Sequence, residues 1–221
     1  MYALSNGLIA QLAPADQALL LRRATMVVLN VGDVLSSSNA TSSRIYFPVC
    51  GVIALYVGHQ GKGASVGMAV GLVGAEGAAG LQAALGFGAG NVKMVVQSAG
   101  QAYAVDGVMA QRLVNRRRTL LMQFSRYLWT LFDSMAVLAT RPHTQDIKVR
   151  LAHWLLFSAE RCAPDPLVLT HAQIAMMLGV RRASISIAAH EMKLKRYISY
   201  SRGRIALLNV PALEALAHTS A

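Results

Sequence analysis

The hydrophobic period of this chain changes once, at Asp106, and that change limits its fold more than any other feature. Up to residue 105 the apolar runs are short, β-branched and aromatic: "TMVVLNVGDVL", "SRIYFPVCGVIALYV" and "NVKMVVQSAGQAYAV". Gly, Pro, Asn and Asp break them, the pattern of short strands closing into a small barrel or roll. A short opening helix is expected over Leu8 to Arg23, broken at Pro14. Asp106 then fits an N-cap, and residues 107–139 hold no proline and one glycine, Gly107. Leu113, Leu120, Phe124, Leu128, Leu131, Met135 and Leu138 follow at steps of three, four and seven, a helical stripe. One helix of roughly 50 Å is predicted, too long for a small roll to cover alone. A seam of that length pairs with its own copy, and Arg117, four residues after Leu113, loosens it at that end. The alternative is a helix packed on its own domain. "RPHT" at 141–144 closes the helix and forms a hinge.

The expected class is therefore α+β, in three parts: a β-roll over 1–105, a long helix over 106–140, and a compact α-rich unit over 145–221. In the last part, "TQDIKVRLAHWLLFSAER" places Ile147, Leu151, Trp154 or Leu155, and Ala159 on one helical face, and "CAPDP" ends that helix.

The next stretch, "LTHAQIAMMLGVRRASISIAAHEM", reads as two helices joined by a tight turn. Thr170, also expected among the DNA-contacting residues, caps the first, and Gln173 three residues on completes a capping box. Ile174, Met177 and Leu178 form its inner face, Gly179 supplies the positive φ of the turn, and Val180 plugs the corner. The second helix begins at about Arg181. Ile185, Ala188, Ala189 and Met192 turn inward, leaving Arg181, Arg182, Ser184 and Ser186 at the exposed N-terminal end. That arrangement suits a helix read into a DNA major groove, where arginine pairs bidentately with guanine and serine bonds base or phosphate. "YISYSRGRIALL" adds a hairpin whose tip carries Arg202 and Arg204, a basic wing for phosphate contacts.

Charge supports the same partner. The 221 residues hold 21 Lys+Arg against 10 Asp+Glu, a formal net charge of +11, which points to nucleic acid or an acidic membrane surface. From Pro166 to Ala206 there are seven Lys/Arg and a single acid, Glu191. Cys50 and Cys162 are far apart and form no C-x-x-C pair, so neither a disulfide scaffold nor a zinc or iron–sulfur site is expected. No cofactor or metal is predicted. The first residues lack a basic segment followed by an apolar core, so no signal peptide and a cytoplasmic location are expected.

Two rival readings need stating. Ala64 to Gly90 holds one charge, Glu76, and is apolar for long enough to span a bilayer. Its eight glycines are costly in such a helix, and no aromatic or cationic flanks frame it, so short strands with glycine turns are preferred and no membrane partner is expected. A membrane-associated or polyanion-binding module remains the alternative for the basic charge. "GASVG" fits the G-x-S-x-G esterase pattern around Ser65, but the glycine-rich residues after it are poor material for the required helix. The protein is not expected to be an enzyme.

Almost the whole chain resembles the Crp/Fnr superfamily of bacterial transcription regulators. "NGLIAQL", "VVLNVGDVL" and "IYFPVCGVIALY" look like the opening of that family's sensory, cyclic-nucleotide-binding-like β-roll. "VGMAVGLVGAEGAAG" looks like its glycine-rich effector stretch, the long helix like its dimer helix, and the C-terminal unit like its winged helix-turn-helix. The resemblance implies a homodimer that binds double-stranded DNA at a palindromic operator, with RNA polymerase as a further partner and a small-molecule effector. It places Gly74, Glu76 and Gly77 in an effector pocket. The cyclic-nucleotide readers of the family also carry a phosphate-binding arginine, whereas "GFGAGNVKMVV" offers none and Lys93 is the nearest cation. Cyclic AMP is therefore not the expected effector. The family's base-reading positions further along the recognition helix hold Ala183 and Ile187, while Arg182 matches its first arginine. Ile187 either meets a thymine methyl or belongs to the core, and His190 is expected on the surface.

Overall fold

The computed structural model describes residues 5–36, 43–58, 67–88, 90–140, 146–161 and 167–218. Its contacts divide the chain into two compact units, Met1–Leu55 with Gly71–Met135, and Tyr56–Val70 with Ala136–Ala221.

The first unit opens with two short helices, α1 (Gly7–Ala10) and α2 (Pro14–Leu21). The Asn6 side chain caps α1, and Pro14 stands in the first turn of α2, where its missing N–H costs nothing. The strands are β1 (Thr25–Leu29), β2 (Val34–Ser36), β3 (Arg44–Gly58), β4 (Gly67–Val73) and β5 (Val92–Asp106). They form a sheet of order β1-β5-β3-β4, with β2 also paired to β5. β1 and β2 run antiparallel to β5. The glycine-rich stretch thus becomes one strand and, after a turn, a 3-10 helix at Leu81–Leu85. No helix among the described residues is long and apolar enough to cross a membrane.

The long helix is not continuous. α3 (Gly107–Arg116) starts on Asp106, whose carboxylate accepts the Met109 N–H, as expected of an N-cap. Arg117 then leaves helical geometry, with φ −132° and ψ 92°, and α4 (Arg118–Thr140) begins afresh. The cause lies a hundred residues upstream. Asp16 on α2 is buried, and a buried carboxylate must be paired. Arg117 Nε donates to it at 2.7 Å and the Thr119 hydroxyl at 2.5 Å. The Thr119 hydrogen bond leads in lowering the Asp16 pKa; burial opposes it and Arg117 adds to it.

The apolar stripe also faces inward rather than toward a partner. Leu120 and Phe124, expected in a dimer seam, lie in the unit's own core with Leu20, Phe47, Val105 and Val114. Phe124 sits 6.1 Å from Phe47 between ring centroids. Leu113 and Leu128 pack on the same cluster, and Leu131 and Met135 reach the Gly71 backbone of β4. The side chain of Leu138 lies outside the described residues. The roll therefore covers Leu120 and Phe124 fully and Leu113, Leu128, Leu131 and Met135 in part, and fully burying such a side chain contributes about 1.5–3 kcal/mol. The opposite face of α4 stays open: Met122, Trp129 and Phe132 are exposed.

The second unit contains α5 (Ile147–Arg161), β6 (Leu167–Val168), α6 (His171–Leu178), α7 (Arg182–Leu194), β7 (Ile198–Ser201), β8 (Arg204–Leu207) and α8 (Val210–Ala217). Leu151, Trp154 and Leu155 bury α5. It packs on α7 and α8, while α6 packs on α7. The three strands pair antiparallel in the order β6-β8-β7. The 141–144 hinge and the 162–166 stop fall outside the described residues.

Candidate nucleic-acid interface

Local chemistry fixes the two-helix unit. The Thr170 hydroxyl accepts the Gln173 N–H at 3.2 Å while the Gln173 side chain accepts the Thr170 N–H at 2.8 Å, completing the capping box. Gly179 has φ 64°. Val180 N–H donates to Ala175 O at 2.9 Å and Gly179 N–H to Met176 O at 3.3 Å, the paired bonds of a Schellman turn. Arg150 of α5 closes the same corner by donating to the Leu178 carbonyl, a cation at a helix C-terminus. Ile174, Met177 and Leu178 are buried and Val180 half-buried. On α7, Ile185, Ala188, Ala189 and Met192 are buried.

The exposed edge of α7 follows from that burial. Arg181 is its N-cap residue, so the helix starts one position later than its sequence suggests, and Arg181, Arg182 and Ala183 are all exposed. Ile187 is 62% exposed, so it is not core, and His190 is exposed as well. Ser184 is half-buried. Ser186 is half-buried too and already engaged: its hydroxyl donates to Arg182 O at 3.1 Å and lies 3.0 Å from His171 Nδ1. Thr170 is likewise occupied by its cap. The free groups at this edge are Arg181 and Arg182, with Ile187 behind them.

The wing carries its own signature. β7 and β8 pair Ser201 with Arg204 around a two-residue turn, with φ 48° at Arg202 and φ 77° at Gly203. Both central residues are left-handed, as a tight hairpin requires. Arginine is strained there, whereas Asn or Gly is the usual choice. Arg202 and Arg204 are exposed. Lys193 Nζ donates to Tyr200 O at 3.4 Å, tying α7 to the wing. Glu191, the lone acid in this stretch, pairs with Lys148 at 2.6 Å, so it does not offset the arginines at the edge.

His171 was missed in the sequence. It stands between α6, α7 and the wing, stacked on Tyr200 and touching Ser186. Burial first, and Arg182 second, lower its pKa. Its partners lie far along the chain, so local spacing gave no signal.

The glycine-rich loop expected to carry the effector pocket is tied to its neighbours by hydrogen bonds. The Glu76 carboxylate accepts the Gly74 N–H at 3.0 Å, closing the loop on itself. Gly7 N–H donates to Ala75 O at 2.6 Å, and Asn6 Nδ2 donates to Gly77 O at 2.7 Å. A methyl at Gly77 would collide with the Tyr127 ring. Ala75 and Gly77 thus hold the start of α1, and Gly77 lets Tyr127 of α4 approach the loop. A cavity of about 340 Å³ opens nearby, walled by Leu55, Leu81, Phe87, Met94, Leu128, Leu131 and Met135, with Gln82 the polar side chain among its walls. Ser65 of the G-x-S-x-G pattern lies outside the described residues. No group of three or more metal-ligating side chains occurs among the described residues, and Cys50 is free and half-buried.

Residues 149–216 match the family model described as a Crp-like helix-turn-helix domain. That region is similar to Crp-like helix-turn-helix domains. The match spans α5 to α8, so it includes the wing and the Arg150 brace as well as the two helices. Solved structures extend the likeness to the whole fold. FixK2 from Bradyrhizobium japonicum aligns with a TM-score of 0.75 at 13% identity, over 90% of this chain and 99% of its own. A Crp/Fnr-family transcriptional regulator from Thermus thermophilus gives 0.68 at 19% identity, over 89% and 100%. The c-di-GMP responsive global regulator CLP of Xanthomonas campestris gives 0.69 at 12% identity, over 88% and 99%. A search of curated proteins by sequence finds no match. These likenesses show that the chain has the fold of the Crp/Fnr regulators.

Proposed function

We propose that this protein is a transcription regulator that binds a two-fold-related DNA site as a homodimer. The observation that carries this reading is the exposed edge of α7. Arg181 and Arg182 stand free at its start, its inner face is buried, and a wing with Arg202 and Arg204 flanks it. Arg182 is assigned to base readout, Ile187 to a thymine methyl, and the wing arginines to phosphates.

The open face of α4 supports self-association. Met122, Ser125, Trp129 and Phe132 follow at steps of three, four and three, a coiled-coil spacing. Trp129 and Phe132 are 69% and 60% exposed, with their rings 5.6 Å apart and tilted by 31°, a large apolar surface for a chain to leave in water. We assign the dimer seam to this face in place of the inward stripe.

An effector, if this regulator takes one, is assigned to the 340 Å³ cavity. No charged side chain among the described residues lines it, so it suits a small uncharged apolar molecule and not a cyclic phosphate. The c-di-GMP response of the Xanthomonas regulator does not carry over to such walls.

Selection from a random duplex pool by the purified protein, at near-physiological salt, tests the reading. An enriched palindrome is expected. Salt-sensitive binding without enrichment, both alone and with cell-extract small molecules added, would remove α7 from base readout.

A further inference from the structure

We propose that the cleft between α2 and α3 binds a small nucleotide bearing a polyphosphate chain. The cleft is about 700 Å³, within the range of small-molecule sites. Arg22 and Arg23 line it from the end of α2, and Arg112 and Arg116 from one face of α3. Leu19, Met109 and Leu113 supply its apolar wall.

Four guanidinium groups around one cleft are unusual because they repel one another. Arg112 and Arg116 stand four apart on α3, where like charges destabilise a helix. Arg22 and Arg23 at the C-terminal end of α2 and Arg116 in the last turn of α3 gain from the helix dipoles, but that gives no reason for Arg112 to face them as a fourth cation. No carboxylate among the described residues lines the cleft. The acids on the same elements are spent elsewhere, Asp16 on Arg117 and Thr119, and Asp106 on the cap of α3. Among the described residues, none of the four arginines pairs with a carboxylate.

The chemistry of the occupant follows from the walls. Guanidinium forks bind phosphoryl oxygens bidentately, and several forks favour several linked phosphates over one. The apolar wall has no use for a bare phosphate chain; it fits the flat face of a base. Arginine also stacks on aromatic planes, so either side of the cleft can hold that base. The cleft lies wholly in the first unit, whereas the recognition helix and wing lie in the second.

Titration calorimetry on the full chain with ATP and with GTP, in separate runs, tests this. Saturable binding of at least one of them is expected, at one per chain. Inorganic triphosphate and the free nucleoside should each bind ~10-fold or more weakly, having lost one half of the recognition. R112Q/R116Q should weaken nucleotide binding ~10-fold or more. K93Q, which removes a charge elsewhere in the same unit, should leave it unchanged. R22Q/R23Q tests the opposite wall should the α3 variant fail to fold. The proposal is overturned if neither nucleotide saturates, if K93Q loses as much as the cleft variants, or if triphosphate alone binds as tightly. Displacement of the nucleotide by non-specific duplex DNA at equal phosphate concentration would assign the cleft to DNA and overturn it too.

Discussion

The imidazole of His171 lies flat on the phenol ring of Tyr200, with 4.2 Å between centroids and 17° between planes. Its Nδ1 meets the Ser186 hydroxyl at 3.0 Å. One side chain thus holds the wing and the start of α7 together. Its pKa is lowered from 6.5, by burial and then by Arg182. The unfolded chain therefore binds more protons between the folded pKa and about 6.5, and stability rises with pH across that window. This contribution is complete above about pH 6.5 and is lost as pH falls toward the folded value. Thermal melts from pH 7.5 down to 5 should show it in the wild type, and His171→Gln should flatten that part of the profile. An unchanged profile would remove His171 from the brace.

Arg182→Ala should weaken binding to the selected operator by about 1–3 kcal/mol and relax preference at one base position. Competition binding against operators mutated one position at a time reads both effects. Unchanged affinity and preference would take Arg182 out of base readout.

Arg202→Gly separates stability from binding. It relieves a left-handed arginine, a conformation that costs roughly 1–2 kcal/mol, part of which the added freedom of the unfolded chain offsets. The melting temperature should hold or rise. Affinity for all duplexes should fall, and the salt slope should flatten by about one ion. A loss confined to one base pair would contradict the phosphate role, for Arg202 and equally for an Arg204→Ala variant.

The two faces of α4 should respond in opposite ways. Phe124→Ala hollows the core and should cost about 3–5 kcal/mol in denaturant unfolding. Trp129→Glu with Phe132→Glu changes exposed side chains, so the fold should survive while sedimentation shows a dimer become a monomer. A dimer that persists in the double variant would move the seam elsewhere.

Asp16→Asn should destabilise the first unit by about 1–3 kcal/mol, since Thr119 and Arg117 lose a charged partner. The wild-type contribution is present above the usual carboxylate pKa of 3.8 and is lost as pH falls through the lowered value. The gap between wild type and variant in urea unfolding should therefore close in strong acid. A gap that does not change with pH would mean that shape and not charge holds the junction.

What the sequence made legible was local. Thr170 and Gln173 are three residues apart, and Gly179 ends a helix whose inner residues repeat at helical spacing, so cap, turn and buried face followed from neighbours along the chain. The break at Arg117 did not, because its cause is Asp16 on another helix. The faces of α4 were confounded for a related reason. Leu120 and Phe124 form one stripe and Met122, Trp129 and Phe132 another, and periodicity counts stripes without saying which meets the roll. The contacts around Glu76 were not legible, because glycine marks a tight backbone whether a ligand or another helix approaches it. His171 stayed hidden because Ser186 and Tyr200 are brought to it only by the tertiary fold.

The clamp on Asp16 has a geometric consequence. Arg117 and Thr119 bracket the first residue of α4 and are both tied to the same carboxylate. The angular setting of α4 about its own axis is therefore indexed to α2, like a shaft keyed to its hub. One residue inserted after Thr119 would rotate Trp129 and Phe132 by about 100° around that axis while leaving their spacing intact. The same apolar stripe would then point in a different direction, so the heading of the seam belongs to a joint ten residues before Trp129 rather than to the seam itself.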